Sequence, residues 1–197
     1  HRGVLFLDEL PEYPRSTLEA LRQPLEDRQV AISRAQSKVS YPADFTLIAT
    51  MNPCPCGYYG DASRECSCSP IQINSYQKRL SGPLLDRIDL VVTVPRVPHD
   101  TLLEHSSLSD SQHKAARESI SRALCRQSIR YKSSNRYNDM LSSHEIRSII
   151  KLDTDSKRLL ATATDKMQLS TRAYFRVLRV ARTIADLEDS DDVHASH

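Results

Sequence analysis

The chain has 197 residues, of which 39% are hydrophobic and 26% are charged, and its formal net charge is +2. These values are typical of a globular protein with one or two small domains, and the nearly balanced charge indicates no particular class of partner. No apolar stretch is long enough to span a bilayer and no secretory signal opens the chain, so a cytosolic location without a membrane role is expected.

The first predicted element is an apolar strand that ends in two carboxylates. Val4 to Leu7 runs directly into Asp8 and Glu9. A short apolar run suits a central strand of a parallel sheet covered on both faces, and ligands of such sheets bind at the carboxyl ends of the strands. In a nucleotide hydrolase the first carboxylate holds Mg²⁺, usually through water, and the second orients or deprotonates the attacking water. The alternative is a strand that leaves the core into a polar turn.

A helix is predicted after the acidic pair. Ser16 and Glu19 fit the capping box that opens a helix, because the serine side chain and the glutamate side chain each bond a backbone N–H of the first turn. Pro24 is expected to kink or end this helix early, since its nitrogen has no proton to donate to the preceding turn.

A hairpin is predicted over residues 29–42, where two short β-prone pieces flank a polar centre. Its tip holds Arg34 and Lys38. The alternative is an ordinary surface hairpin with solvated charges.

A second buried strand is predicted over residues 45–50, and Asn52 follows it closely. If this strand lies beside the first, the amide faces the same crevice as Asp8 and Glu9, where it could position a water or a phosphate oxygen. The alternative is a simple turn residue before Pro53.

A third strand is predicted over residues 90–94, and the prolines that close it mark a domain boundary. Beyond it the pattern is helical, with predicted helices over residues 112–130, 143–151, 154–166 and 171–188. Ser142 and Glu145 form another capping box. The chain is therefore predicted to contain two domains, over residues 1–98 and 99–197.

The cysteines are unevenly distributed along the chain. Cys54, Cys56, Cys66 and Cys68 form two C-x-C pairs, whereas Cys125 stands alone in a helical pattern. In a cytosolic chain, a tight even cluster favours a metal or free thiols over disulfides. Four thiolates could close a tetrahedral Zn²⁺ site, but the usual spacing is C-x₂₋₄-C, so zinc and free or redox-labile thiols both remain open. Cys125 is expected to be a small buried hydrophobe.

The order of these elements resembles that of the AAA+ ATPases, and more closely the competence-associated branch of the magnesium-chelatase-like group. Four motifs carry the resemblance, which extends over essentially the full chain: G-V-L-F-L-D-E-L at 3–10, A-T-M-N-P-C-P-C-G at 49–57, S-G-P-L-L-D-R-I-D-L at 81–90 and L-S-T-R-A-Y-F-R-V-L-R-V-A-R-T-I-A-D-L at 169–187. It implies an α/β fold in which part of a P-loop-type parallel sheet core is followed by a small all-helical lid domain.

The resemblance also implies roles for individual residues, with ATP and Mg²⁺ as cofactors. Asp8 and Glu9 would be the Walker B carboxylates, Asn52 the sensor 1 residue, Arg87 the arginine finger that reaches the ATP of a neighbouring subunit, and Arg172 the sensor 2 arginine. A guanidinium suits both arginine roles because it stays charged and offers parallel donors to phosphate oxygens. The alternatives are a surface salt bridge for the first arginine and a packing role for the second.

One departure from the family pattern limits what the chain can do alone. No G-x-x-x-x-G-K-[ST] loop occurs, only four glycines are present, and the chain begins at His1 without a Met. We therefore expect a fragment that carries the hydrolytic and sensing half of the site without the half that grips the phosphates. Alone, it is expected neither to bind ATP well nor to hydrolyse it, and turnover that survives Glu9→Gln would contradict this expectation.

The function implied by the resemblance is that of a motor on DNA. The parent protein would form a ring, expected to be a hexamer, with helicase or branch-migration activity linked to recombination and natural transformation. The hairpin corresponds to the pre-sensor 1 hairpin, whose tip residues, here Arg34 and Lys38, would bind nucleic acid through phosphates. Two alternatives remain: a chelatase-type ATPase that remodels a partner for metal insertion into a tetrapyrrole, and an assembly module without enzymatic activity.

Overall fold

The structure, a computed structural model, describes residues 1–34, 37–61, 63–94 and 108–197. Its internal contacts divide the chain into two units, His1–Leu90 and Val91–His197. The predicted boundary at residue 98 lies outside the described residues. The described part of the first unit is mixed α/β, and that of the second is mainly helical.

A two-stranded parallel sheet forms the frame of the first unit. Strand β1 (Gly3–Leu7) pairs in parallel with β4 (Phe45–Ala49), and Leu7 lies opposite Ala49 where both strands end. Both strands were predicted from their apolar runs, and their parallel pairing brings their carboxyl ends to the same edge.

The predicted hairpin is also present. Strand β2 (Gln29–Arg34) pairs antiparallel with β3 (Ser37–Pro42) as a separate two-stranded sheet. Its polar centre at residues 35–36 lies outside the described residues.

Four short helices complete the first unit. These are α1 (Arg15–Ala20), α2 (Arg22–Asp27), α3 (Pro70–Gln77) and α4 (Gly82–Leu85). The break between α1 and α2 agrees with the predicted effect of Pro24, because a proline ring clashes with the carbonyl four residues earlier, here that of Ala20.

The predicted capping box at the start of α1 is wrong. Pro14 occupies the N-cap position without any side-chain cap, and Ser16 lies inside the helix. Proline fixes its own φ near the helical value and its C=O accepts the first helical bonds, from the N–H groups of Thr17 and Leu18. The helix therefore starts two residues earlier than the capping pattern predicts.

A small leucine core lies directly beneath the carboxyl end of β1. Its buried members are Leu10, Leu18, Leu80 and Leu84, and partly buried residues surround them: Leu7, Leu21, Leu25 and Ile88. Since Leu10 is only 2% exposed and follows Glu9 directly, this core anchors the chain just after the acidic pair.

The sheet itself is less covered than predicted. Val4 is 65% exposed, Phe6 57% and Ile48 48%, so the prediction of strands covered on both faces is wrong for the described residues. Their alternating exposure follows the two-residue period of a strand, since the inward side chains pack on the core and the outward ones do not.

The third predicted strand, over residues 90–94, is also absent. Those residues form no strand, and Val91 and Val94 are 84% and 82% exposed. Apolar composition gives a strand only when a neighbouring backbone completes the hydrogen bonds, and no strand among the described residues pairs with this segment.

The second unit follows the predicted helices closely. Its helices are α5 (Leu108–Tyr131), α6 (Ser143–Ile149), α7 (Thr154–Met167) and α8 (Thr171–Leu187). The capping box of Ser142 and Glu145 forms as predicted at the start of α6, with both reciprocal bonds present. Cys125, in contrast, is exposed on α5, so its predicted burial is wrong.

An apolar cluster built mainly from α6 and α8 forms the core of the second unit: Leu141, Ile146, Ile150, Phe175, Leu178, Ala181, Ala185 and Val193. Beside it, the fully buried carboxylate of Asp186 accepts bonds from Arg130, Asn138 and Arg182. Such a buried charge is tolerated because its partners supply opposite charge and hydrogen bonds together.

None of the helices in the described ranges combines the length and apolar character needed to cross a bilayer.

Candidate functional site

The acidic pair lies at the carboxyl edge of the β1–β4 sheet. Asp8 and Glu9 follow β1 directly, and Thr50 follows β4 at the same level. Asp8 and Glu9 are exposed. Parallel strands bring their ends to one edge, which is why residues far apart in the sequence meet here.

Thr50 joins the two strand ends through its backbone and its hydroxyl group. Its N–H donates to the Leu7 carbonyl at 3.1 Å, and its carbonyl accepts from the Leu10 N–H at 2.8 Å. Its hydroxyl oxygen accepts from the Glu9 N–H at 3.0 Å and donates to Asp8 Oδ1. The residue that follows β4 thus fixes both the backbone of the acidic pair and the orientation of its first carboxylate.

The backbone of Glu9 adopts an unusual conformation in this corner. Its φ of 51° and ψ of 52° lie in the left-handed region, which costs a residue with a side chain about 1 kcal/mol. The hydrogen bond from its N–H to Thr50 and the burial of Leu10 on the other side hold the chain in this turn. The turn directs the chain away from the strand direction, so the two carboxylates sit at the rim of the sheet rather than along it.

The Asn52 backbone is held by α3. The Asn52 N–H donates to the Tyr76 oxygen, which partly offsets the rise that burial causes in the pKa of this tyrosine, and Gln77 Nε2 donates to the Pro53 carbonyl at 3.2 Å. Tyr76 is only 5% exposed. Burial raises the pKa of Tyr76, and the charges of Glu12 and Glu9 raise it further, so this tyrosine lies within electrostatic reach of the acidic pair.

Arg79 fixes the far end of the α3 segment to the turn after β1. Its guanidinium donates to the Pro11 carbonyl at 3.1 Å and to Glu12 Oε2 at 3.0 Å. The same group lies 5.8 Å from the centre of the Tyr76 ring. The α3 segment is therefore joined to the acidic turn through Arg79 and to the Asn52 segment through Tyr76.

Arg87 lies within the first unit, close after α4. Its guanidinium donates to the Pro83 carbonyl at 2.5 Å and pairs with Glu26 at the end of α2. The side chain is 10% exposed. Arg87 therefore does form a salt bridge, and its acid partner is Glu26 of α2.

Arg172 is the second residue of α8, in the second unit, and is exposed. Its position is defined only within that unit. Arg34 ends β2 opposite Ser37, and Lys38 lies opposite Ser33 in the hairpin register. Both basic residues thus lie at the end of the hairpin where β2 leads into β3, on the two facing strands.

Four cysteines meet in the loop between β4 and α3. We call Cys54, Cys56, Cys66 and Cys68 the sulfur cluster. Three of its Sγ–Sγ distances are 3.4, 3.6 and 3.5 Å, and all four sulfur atoms lie within 4.8 Å of one another. Sulfurs around a tetrahedral Zn²⁺ lie about 3.8 Å apart, because each Zn–S bond is about 2.3 Å long, whereas a disulfide needs about 2.0 Å.

The thiols of this cluster differ in acidity. The backbone of Tyr58 hydrogen-bonds to the Cys56 sulfur, which helps lower the pKa of that thiol to about 5. The backbone of Cys68 lowers the pKa of Cys66, but burial and the neighbouring sulfurs outweigh it and raise this pKa to about 12. A thiolate therefore forms readily within a group of closely packed thiols, as expected where a cation can replace the remaining protons. The donor set fits a soft metal ion.

Sequence reasoning missed three residues of this region. Thr50 was treated as part of the strand, although a hydroxyl residue at a strand end beside an acidic pair is a usable signal. Tyr76 was not considered, because nothing local to α3 indicates that its hydroxyl reaches Asn52. Glu26 was missed as the partner of Arg87 because the two residues are far apart in the chain.

The comparisons with known proteins agree on one family. Residues 1–102 match the family model described as magnesium chelatase, subunit ChlI, and residues 110–197 match the model for the C-terminal part of the same subunit. Together these two matches cover nearly the whole chain.

Several curated relatives align over almost the full chain. Identity is 42% over 198 residues with the uncharacterized protein YifB of Salmonella typhimurium and 43% over 196 residues with the competence protein ComM of Haemophilus influenzae. It is 38% over 187 residues with the uncharacterized protein Rv2897c of Mycobacterium tuberculosis. These alignments cover 100%, 99% and 95% of this chain, but only 38%, 37% and 36% of the respective relatives. On these matches, the chain belongs to the magnesium chelatase subunit ChlI family.

Proposed function

We propose that this chain is the hydrolytic and sensing part of an AAA+ ATPase that assembles as a ring in the cytosol and acts on DNA. The observation that carries the proposal is the corner in which Thr50 bonds both Asp8 and Glu9 at the carboxyl edge of a parallel sheet. This is where nucleotide hydrolases keep the carboxylates that work on phosphate. Family membership supports the ATPase part of the proposal.

Each residue of this corner has a distinct task in the proposal. The Thr50 hydroxyl occupies Asp8 Oδ1, which leaves the other carboxylate oxygen to accept from a water on Mg²⁺. Glu9 follows Asp8 in a fixed turn and orients the attacking water. Asn52 donates to that water or to the γ-phosphate from the neighbouring strand. Arg172 of the second unit has the sensor 2 role that the family resemblance implies.

Arg87 supplies the arginine finger in trans. Its pairing with Glu26 and the Pro83 carbonyl keeps the guanidinium in place before assembly. In the ring it exchanges Glu26 for the γ-phosphate of the neighbouring subunit, where it neutralises the charge that develops on the transferred group. Hydrolysis then depends on assembly, since each site needs residues from two subunits.

The sequence contains no phosphate-gripping G-x-x-x-x-G-K-[ST] loop, so the chain alone is expected to be inactive. The decisive experiment uses the longer protein that contains this chain. Glu9→Gln and Arg87→Ala should each abolish ATP hydrolysis when assayed separately. Mixed in equal amounts, they should recover about a quarter of the wild-type rate, because about one interface in four then pairs an intact Glu9 with an intact Arg87 across a head-to-tail contact.

The control for that mixture is each variant mixed with itself, which should stay inactive. No recovery on mixing, with rings of normal size, would mean that Arg87 does not act across an interface. Full ATP hydrolysis by Glu9→Gln would contradict the catalytic role proposed for Glu9 and hence the proposed site at this corner.

The DNA part of the proposal relies on the hairpin and on one relative. Arg34 and Lys38 lie on facing strands at the end where β2 leads into β3, and the H. influenzae relative is named for competence. Two cations at one end of a hairpin suit sequence-independent contact with phosphates. Single-stranded or branched DNA should raise the ATPase rate of the longer protein, and Arg34→Ala with Lys38→Ala should reduce this stimulation and its salt dependence.

A matched pair, Lys151→Ala with Lys157→Ala, removes the same charge from the second unit and should leave stimulation by DNA intact. The family description favours a second candidate function, a chelatase-type ATPase that remodels a partner for metal insertion into a tetrapyrrole. Absence of DNA stimulation together with porphyrin-dependent hydrolysis would favour that candidate.

We further propose that the sulfur cluster binds one Zn²⁺. The support is the spacing of its four sulfurs, which is close to that of a tetrahedral thiolate site and too long for disulfides. Chain purified without added zinc should contain one Zn²⁺, and Cys66→Ser should lose it while the matched control Cys125→Ser keeps it. Metal-free protein with four titratable thiols would instead support the reading of free or redox-labile cysteines.

A further inference from the structure

The sulfur cluster is joined to Asn52 by two separate covalent and hydrogen-bonded routes. On the first route, Cys54 follows Asn52 by two residues. Its carbonyl accepts from the Gly57 N–H at 3.0 Å. Gly57 has a φ of 81°, and a Cβ at this position would lie only 3.9 Å from the side-chain oxygen of Asn52. The turn that presents Cys56 to the cluster therefore lies close to the Asn52 amide, with room for no more than a methyl group between them.

The second route returns through α3. Cys68 immediately precedes Ser69, the N-cap of α3, whose side chain accepts from the Gln72 N–H in a reciprocal capping box. The other end of the helix contacts the Asn52 segment, where the Tyr76 oxygen accepts from the Asn52 N–H and Gln77 Nε2 donates to the Pro53 carbonyl. Since the helix is rigid, the position of Cys68 fixes where Tyr76 and Gln77 lie.

These two routes form a closed ring that has Asn52 at one end and the sulfur cluster at the other. The loop between β4 and α3 contributes few side chains to the core: among its described residues 51–69, only Cys54 is fully buried. Hydrophobic packing therefore does little to fix the distance between Asn52 and the start of α3. Four metal–sulfur bonds would fix it, because they join both arms of the loop at a single point.

We infer that metal bound by the sulfur cluster closes this ring and thereby positions the Asn52 side chain at the carboxyl edge of the sheet, with Tyr76 as the positioning residue. The inference rests on the zinc site and the sensor role of Asn52 proposed above, and it adds regulation to them. Loss of the metal, by chelation or by oxidation of the thiols to disulfides by a two-electron oxidant, releases Asn52 and lowers the hydrolytic competence of the site.

The test follows the side-chain amide signal of Asn52 by NMR in the full 197-residue chain labelled with ¹⁵N. The chain is compared with zinc bound, after chelation, and after addition of zinc alone. The Asn52 signal should be distinct with zinc, collapse toward the position of an unstructured amide without it, and return on reloading. Asn138, which is 2% exposed in the second unit and bonded to Thr183 and Asp186, serves as the internal control and should not move.

A second arm keeps the zinc in place. Tyr76→Phe removes only the hydroxyl that bonds the Asn52 backbone, so it should retain one zinc per chain and still shift the Asn52 signal. In the longer protein this variant should lower kcat for ATP hydrolysis with little change in KM, because Asn52 acts on the bound nucleotide rather than on its capture.

The outcomes separate the proposals from one another. An Asn52 signal that is the same with and without zinc overturns the inference, even if the zinc site is real. If chelation unfolds the entire first unit, the Tyr76→Phe arm decides, and an unchanged Asn52 signal with zinc bound overturns it. A chain that binds no zinc overturns both the metal site and the inference, whereas the ATPase proposal is tested independently by the mixing of Glu9→Gln and Arg87→Ala.

Discussion

The two units of the chain hold themselves together in different ways. The second unit encloses an apolar cluster built mainly from α6 and α8 and the segments beside them, with a buried ionic network around Asp186. The first unit has only four buried leucines in its core and exposes apolar side chains of its sheet, such as Phe6 at 57%. Its most constrained points are the Thr50 corner and the sulfur cluster.

The two units therefore differ in the interactions that fix their geometry. In the second unit, side-chain packing and charge pairing fix the helices, and none of the predicted catalytic carboxylates lies there. In the first unit, the residues proposed to act on ATP lie just after the ends of strands. Few side chains pack around them, so hydrogen bonds or metal ligation must define their geometry. The first unit is therefore expected to respond to metal, and the second to mutation of its buried charges.

Metal removal should produce the largest difference between the responses of the two units. Stripping zinc from the chain is expected to increase amide exchange across residues 53–69 and at the start of α3, because structural zinc supplies about 10 kcal/mol of folding free energy in small sites. Exchange in α8 of the second unit should stay as it was. Hydrogen exchange measured by mass spectrometry checks this prediction. An equal increase in amide exchange in both units would contradict the proposal that only the first unit depends on metal.

Removal of the buried carboxylate should produce the next largest effect, now in the second unit. Asp186→Ala leaves Arg182, only 2% exposed, without its charge partner. We expect a loss of about 3–5 kcal/mol in the free energy of unfolding. The matched control Asp155→Ala breaks an exposed pair with Arg158 and should cost about 0–1 kcal/mol. Denaturant unfolding followed by circular dichroism measures both, and similar losses would mean that the buried network contributes nothing special.

The sequence predicted the elements of both units better than it predicted their burial. Apolar runs and capping patterns located β1, β4 and the helices of the second unit, because these signals are local. The exposure of Phe6 and the missing strand at residues 90–94 could not be predicted, since burial and strand formation depend on which other segments lie alongside.

The candidate site divides in the same way. The acidic pair, Asn52 and the cysteines stand out in the sequence because their residue types and spacing carry chemistry. The contacts that hold these residues in place cannot be recognised in the sequence. Tyr76 meets Asn52, and Glu26 meets Arg87, only after the chain has folded, and no periodicity or motif marks either contact.

Truncation of a buried leucine should lower the stability of the first unit. Leu84 is fully buried one turn before Arg87, and Leu84→Ala is expected to cost about 3 kcal/mol through lost burial and the cavity left behind. Leu90→Ala, at a site 67% exposed, is the matched control and should change stability by less than about 0.5 kcal/mol. Protection of the β1 and β4 amides in hydrogen exchange reports the effect, and a null result for Leu84→Ala would show that this core does not stabilise the sheet.

The smallest effect concerns pH and tests whether surface charges matter in the second unit. The backbone of Ser142 and then the side chain of Arg136 hold the pKa of Glu145 at about 2, below its usual 4.5. Because the pKa is lowered in the folded state, this stabilisation is complete above about pH 4.5 and is lost as the pH falls toward 2. Glu145→Gln keeps the capping geometry and should flatten the fall in Tm over that window. Glu118→Gln, on the exposed face of α5, should leave the native pH dependence unchanged. An equally steep fall in the Glu145→Gln chain would assign the acid sensitivity of this unit to other carboxylates, with Asp153 next to test because its pKa is also lowered to about 2.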